Sequence, residues 1–304
     1  MPEILRKAPF TGAFLLSLSW VADAPAVNDQ GRPPIALPPT EVVDGERITE
    51  AGGAAFPKRL AVLGSSNDGR ALRADSCRPP PNLEQARVKS VLDGDTLRLR
   101  KGGDVRLIGL DTPELGRDGN PDMPGAREAG RALRRLVRQT GNRIYLQQGR
   151  QHRDRYGRLL AHVFTQDGES LTRRMLSRGL GYQIALPPNL RYLVCYREAE
   201  AKARREGLGV WREPVRQAVN LRAGERGFRL LQGEVERIGR APGALWLNLR
   251  GGLAIRIARE DLAAFGLPDL AGLVGRRLEA RGWLYRYRGE QRLRIRHPSA
   301  LRWL

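Results

Sequence analysis

The sequence predicts a mainly β chain with helices, arranged as two small barrels in tandem. Three observations predict it. Apolar runs of strand length recur through residues 82–215, punctuated by turn dipeptides such as Asp93-Gly94. Between them lie stretches whose apolar residues repeat at helical spacing. After a break at residues 215–227, a second series of strand-length runs fills residues 228–304.

Taken in order, residues 87–91 and 97–99 form a hairpin around Asp93-Gly94, and Lys101-Gly102-Gly103 turns the chain into a third strand at 105–110. A helix starts after Pro124, because Ala126, Ala129, Leu133, Leu136 and Val137 share one face, and Gly141 can cap it. Residues 144–146 and 159–164 supply two more strands. A short helix around Leu171, Met175 and Leu176 stops at Gly179, and a longer one over 189–205 stops at Gly207. Five short strands with intervening helices predict a five-stranded OB-type barrel plus three helices. The later runs at 230–238, 245–249, 253–257, 277–285 and 291–296, with a helical stretch at 259–273, predict a second, smaller OB-like barrel.

The N-terminal part reads differently. Arg6 and Lys7 precede an apolar stretch at 13–22, followed by Ala24-Pro25-Ala26, the pattern of a signal peptide cleaved after Ala26. Residues 27–81 carry Pro-Pro and Gly-Gly punctuation with little periodicity and read as a flexible linker, in which the run 60–63 could pair with another strand. This places the protein in the periplasm or outside the cell. Two cysteines, Cys77 and Cys195, lack the spacing of a zinc site. In an exported protein a disulfide between them is the economical arrangement; in a cytosolic one they would be two buried thiols.

Composition narrows the partners. Lys+Arg number 53 against 33 Asp+Glu, a formal charge of +20, and only five of the basic residues are lysine. Such a balance favours polyanions, nucleic acid first and an anionic membrane surface second, although arginine-rich codon usage would also produce it. No apolar run reaches the roughly 18–20 residues of a membrane span, and no amphipathic basic helix stands out. No protein partner is implied. Residues 228–304 hold fifteen Arg and seven Asp/Glu, a net of 15 − 7 = +8. Trp246, Trp283, Tyr285 and Tyr287 are interleaved with these arginines. The tryptophans read as core residues. Tyr285-Arg286-Tyr287-Arg288-Gly289 reads as an exposed platform.

Three clusters carry chemistry: Asp93-Gly94-Asp95-Thr96; Arg106 with Asp111-Thr112-Pro113-Glu114; and Asp154-Arg155-Tyr156-Gly157-Arg158. Alone, each has a structural explanation: a hairpin turn, a helix start, a charged turn. Together, each beside a strand end, they suggest a hard cation next to a phosphate. Asp95 and Asp111 offer two carboxylate ligands, and a backbone carbonyl such as that of Thr112 a third, a set suited to Ca²⁺ or less clearly Mg²⁺. Arginine at 106 and 158 suits bidentate contact with phosphate oxygens. Phosphodiester hydrolysis needs these parts and a base to activate water. His152 is the one histidine near the clusters, which argues against zinc or histidine chemistry.

The stretches 88–96, 105–114 and 154–161, with Gly179-Leu180 and Gly207-Leu208-Gly209-Val210-Trp211, resemble the staphylococcal nuclease (thermonuclease) domain family over about 40% of the chain. The resemblance implies a Ca²⁺-dependent endonuclease that hydrolyses DNA and RNA at the 5′-oxygen–phosphorus bond and leaves 3′-phosphates. It implies Asp95, Asp111 and the Thr112 carbonyl as calcium ligands, Glu114 as general base, and Arg106 and Arg158 as the phosphate clamp. Tyr156 would lie near the nucleotide phosphate and Asp93 just behind the ligands. Residues 181–188 do not align with the family pattern, so Tyr182 receives no role, and the resemblance says nothing of residues 228–304. The competing reading is a non-catalytic nucleic-acid-binding protein with tandem OB-like domains; the intact Asp95, Arg106, Asp111, Glu114, Arg158 set separates them, since a binder does not need it.

Overall fold

A computed structural model describes residues 77–116, 119–267 and 270–304. The expected signal peptide, the linker as far as residue 76 and the run at 60–63 lie outside the described residues. In chain order the elements are β1 (Glu84–Val91), β2 (Thr96–Leu99), β3 (Asp104–Leu107), β4 (Leu110–Asp111), α1 (Ala126–Gln139), β5 (Arg143–Arg153), β6 (Leu159–Phe164), α2 (Leu171–Leu176), β7 (Tyr182–Gln183) and α3 (Leu193–Arg205). There follow β8 (Arg216–Gln217), β9 (Gly227–Ala241), β10 (Ala244–Leu249), β11 (Leu253–Ala258), α4 (Leu262–Phe265), β12 (Arg277–Tyr287), β13 (Glu290–Ile295) and β14 (Leu301–Trp303).

The first five long strands close into a barrel in the order β1-β2-β3-β6-β5, with β1 pairing back onto β5. Alternation drives this: Val88, Leu97, Leu99, Val105, Leu107, Ile144, Leu146, Ala161 and Val163 are buried in one core. The neighbours β3 and β6 run parallel, which aligns their N-terminal ends. Helix α1 lays Ala129, Leu133, Leu136 and Val137 on that core, the face expected from spacing. It ends where Gly141 adopts φ 62 and the Asn142 N–H bonds back to the Val137 carbonyl. Ser170 caps α2 by accepting from the Arg173 N–H. Cys77 and Cys195 form a disulfide that ties the segment before β1 to α3 across a sequence separation of 118. Chain-entropy arguments value such a closure at about 4–5 kcal/mol.

The second barrel repeats the first. Strands β9-β10-β11-β13-β12 form a ring, closed by β12 on β9, and the β11–β13 pair is parallel like β3–β6. In both barrels the spatial order is first, second, third, fifth, fourth. Leu231, Val235, Leu247, Ile255, Leu278, Leu293 and Ile295 fill the interior. Short strands β8 and β14 extend its edges.

Several expectations shift. The helix expected over 189–205 begins at Leu193, because the preceding segment holds the Pro187-Pro188 pair and turns at Asn189 and Leu190. The expected helical stretch 259–273 is three separate turns, Arg259–Asp261, Leu262–Phe265 and Ala271–Leu273. Strand β5 runs far beyond 144–146 as a polar, exposed extension. Trp246 and Trp283, expected in the core, lie on the outer barrel face, and Trp283 is 39% exposed.

The barrels meet through buried charge. Glu200 of α3 pairs with Arg281 of β12 at 2.7 Å, both side chains about one-tenth exposed. Arg204 pairs with Glu279 at 2.6 Å, which also receives Arg302 and Gln232. Arg281 further donates to the Gln183 carbonyl at 3.0 Å, while the Gln183 N–H donates to Glu200 at 2.7 Å. Removing one partner of a buried pair strands the other charge, at a cost of about 3–5 kcal/mol. Arg281→Ala is therefore expected to lower the unfolding free energy by that much, read as a lower urea midpoint at an unchanged m-value, and Glu200→Gln with Arg281→Met to cost clearly less. Equal midpoints for wild type and Arg281→Ala would show that this contact does not hold the barrels.

Candidate active site

One end of the first barrel gathers the three charged clusters. Strand pairing explains how. Thr96 opens β2 and sits opposite Arg106 on β3, which in turn sits opposite Leu160 on β6. The turn before β6 therefore delivers Arg158 next to Thr96, and the Arg158 Nη1 donates to Thr96 Oγ1 at 3.4 Å across 62 residues of sequence. Beyond β3, Gly109 turns the chain at φ 85, where a Cβ would strike the Tyr196 ring at 2.3 Å. This turn sends β4 out of the barrel to pair with β7, Leu110 opposite Gln183 and Asp111 opposite Tyr182.

Asp95 and Asp111 come together on Arg106. The guanidinium pairs with Asp95 Oδ2 at 2.6 Å and with Asp111 Oδ1 at 2.7 Å, and donates to the Leu110 carbonyl at 2.9 Å. Both carboxylates are buried. Asp95 is held on all sides: Thr112 donates to Oδ2 from its N–H at 2.9 Å and its Oγ1 at 3.0 Å, and Thr96 donates to Oδ1. Thr112 comes this close because residue 94 is glycine; a Cβ there would lie 2.6 Å from Thr112 Oγ1. Asp93 accepts from the Asp95 N–H at 3.0 Å, directly behind the pair.

The remaining candidates are more open. Arg158 is held by Asp154, which accepts from its Nε at 2.7 Å and its N–H at 3.0 Å. The Tyr156 ring faces Arg158 at 5.3 Å and Arg155 at 4.8 Å. Glu114 is exposed, anchored by its backbone: its carbonyl accepts from Met123 N–H, and its N–H donates to Met123 Sδ. The segment Asp111-Thr112-Pro113-Glu114 starts no helix; α1 begins fifteen residues later, at Ala126. His152 is exposed against Gln148. Burial pushes His162 down to about 3, so it is neutral, and it contacts the Tyr196 hydroxyl away from the cluster.

Charge at the site is out of balance. Burial, helped by the neighbouring Asp95 and Glu114 charges and opposed by Arg106, pushes Asp111 up to about 8. Burial and the Asp95 charge push Asp93 up to about 7. Burial works against the charge on Arg106, and Asp95 and Asp111 outweigh it, so its pKa is raised. One buried guanidinium thus serves several carboxylates. Among the described residues no group of three or more His, Cys, Asp or Glu side chains is gathered around a metal position. The donor set nevertheless suits a hard divalent cation: two carboxylates meeting on one guanidinium, with backbone oxygen nearby. Sequence reasoning missed Tyr182 and Gln183, whose short strand holds Asp111, and the Glu200–Arg281 pair that holds Gln183. Two-residue strands and contacts 81 residues apart leave no local pattern to read.

Residues 104–213 match the family model described as staphylococcal nuclease homologue. A thermonuclease of Staphylococcus intermedius is 35% identical over 127 residues, 41% of this chain and 74% of that protein. A thermonuclease of Staphylococcus hyicus is 31% identical over 133 residues, 43% of this chain and 77% of that protein. Endonuclease YncB of Bacillus subtilis (strain 168) is 32% identical over 133 residues, 42% of this chain and 62% of that protein. The family match ends before β9, so the second barrel lies outside it.

The raised carboxylates set a pH dependence. Each binds its proton more tightly folded than unfolded, so their contribution to stability is present at low pH and lost as pH rises through about 7 to 8. A cation needs them ionised, so cation affinity is expected to rise with proton release between about pH 6 and about pH 9. Calorimetric calcium titration in buffers of different ionisation enthalpy reads both. Affinity that stays flat over that window would separate these carboxylates from cation binding.

Proposed function

The chain belongs to the staphylococcal nuclease family, and on that premise we propose that it is a Ca²⁺-dependent endonuclease that cuts DNA and RNA at the 5′-oxygen–phosphorus bond. The protein is a hydrolase acting on phosphodiester bonds. One observation carries the finer reading: Asp95 from the β1–β2 turn, Arg106 from β3, Asp111 from β4 and Arg158 from the turn before β6 converge on one end of the barrel.

A cation held by Asp95 and Asp111, with the Thr112 carbonyl, would neutralise phosphate charge and polarise the attacking water. The protein's own groups do the rest. Arg106 and Arg158 present planar donors to the phosphate oxygens and stabilise the added charge of the five-coordinate transition state. Glu114, exposed beside this cluster, takes the proton of the attacking water. The water oxygen bonds to phosphorus, the bond to the 5′-oxygen breaks, the leaving oxygen takes a proton from solvent, and a 3′-phosphate and a 5′-hydroxyl result. Asp93 fixes the backbone of Asp95, and Tyr156 stacks beside Arg158. Location outside the cytoplasm is part of the proposal; the Cys77–Cys195 disulfide supports it, since such bonds persist in oxidising compartments.

Glu114→Gln is expected to lower kcat on single-stranded DNA by about 10²–10⁴-fold with mononucleotide affinity kept, and EGTA to stop cleavage. Turnover near the wild-type rate in Glu114→Gln would remove it as the base, and full activity in metal-free buffer would remove the calcium requirement.

A further inference from the structure

Strand register builds a second feature on the outer face of the second barrel. Phe228 of β9 lies opposite Trp283 of β12, Trp283 opposite Arg294 of β13, Arg294 opposite Arg256 of β11, and Arg256 opposite Trp246 of β10. Their side chains alternate with the buried Leu245, Leu247, Ile255, Leu284, Leu293 and Ile295, so the row faces outward. It crosses five strands, four spacings of about 4.8 Å, or roughly 19 Å. Alongside it the Arg292 guanidinium sits 4.6 Å from the Trp246 ring and 4.5 Å from the Tyr287 ring. Trp283 and Tyr287 are 39% and 38% exposed.

The row has a direction. Outward residues of β12 begin with Glu279 and Arg281, which are buried against α3, and emerge as Trp283, Tyr285 and Tyr287. From Trp283 an unbroken aromatic contact chain runs back: Trp283 to Phe228 at 5.4 Å, Phe228 to Tyr182 at 5.6 Å. Tyr182 is the cross-strand partner of Asp111. The outer face of the second barrel is thus continuous with the strand that carries a candidate cation ligand.

We propose that the Phe228–Trp283–Arg294–Arg256–Trp246 row is a binding track for single-stranded nucleic acid, which leads the strand toward the candidate active site. The chemistry matches one occupant. Flat aromatic faces stack unpaired bases of any sequence, and interleaved guanidiniums meet the phosphates between them. The segment carrying the track holds fifteen Arg against seven Asp/Glu. The acids touching it, Glu290 on Arg292 and Glu260 on Arg294, are more than half exposed and leave the face positive. An apolar protein partner would find the row interrupted by two guanidiniums, and a duplex offers no base faces. The leading role rests on the nuclease reading; binding by the track does not.

Anisotropy of a labelled 15-nucleotide oligothymidylate, titrated with the full chain in EDTA, reads binding without cleavage. Trp246→Leu with Tyr287→Leu is expected to weaken it about ten-fold or more. Arg256→Gln with Arg294→Gln is expected to flatten the slope of log affinity against log salt by about 1.4, some 0.7 per lost phosphate contact. Cleavage of a dinucleotide substrate should be unchanged in both variants, while kcat/KM on the 15-mer falls. Affinities within about two-fold of wild type in both variants, or equal affinity for a duplex of the same length, overturn the track. Photocross-linking of a 5-iododeoxyuridine oligomer to the wild-type chain decides independently of variant folding: adducts at Trp246, Trp283 or Tyr287 support it, and adducts confined to the first barrel overturn it. Binding without cleavage of any substrate would leave the track standing and remove the nuclease reading; cleavage with unaltered binding in the variants would remove the track alone.

Discussion

Arg106 is the interaction on which the site depends. Its guanidinium bridges Asp95 on the β1–β2 turn and Asp111 on β4, two segments that barrel closure alone would not bring together. Burial, with the Asp95 charge beside it, makes Asp111 resist ionisation, which its raised pKa expresses. A bound cation would relieve that conflict. The same guanidinium has the shape to clamp a phosphate. The arrangement therefore joins two demands, holding the acids together and meeting the substrate, and a divalent ion on the carboxylates would release Arg106 from the first to serve the second.

Around that bridge the fold acts as a positioning frame. Parallel β3 and β6 set Arg106 opposite Leu160, so the turn that leads into β6 brings Arg158 to the same end of the barrel. Gly94 lets Thr112 reach Asp95, and Gly109 turns β4 away from the barrel. Strand β7 then holds β4, and the Glu200–Arg281 pair holds β7. The second barrel is thereby coupled to a candidate cation ligand through the β4–β7 pairing, the Gln183 backbone and the Glu200 and Arg281 side chains.

Much of this was legible in the sequence because it is local. The Asp93-Gly94 turn, the strands at 97–99 and 159–164 and the α1 face are written in short-range periodicity. The candidate clusters stood out because turns at strand ends carry distinctive residues. What escaped was non-local. Tyr182 and Gln183 form a strand only because β4 is there to pair with. The outward placement of Trp246 and Trp283 follows from register across five strands, which hydrophobicity alone assigns to the core. The long helix starts late because backbone geometry around Pro187 and Pro188 overrides the apolar spacing.

The proposed reading is that Arg106 stands where cation charge is needed and would turn to phosphate with a cation bound. Calcium affinity and single-stranded DNA cleavage, measured together in Arg106→Gln, test it most directly. The account predicts calcium binding as tight as wild type or tighter, because a competing charge is gone, with cleavage reduced by orders of magnitude. Loss of calcium binding in that variant, or cleavage near the wild-type rate, would contradict it.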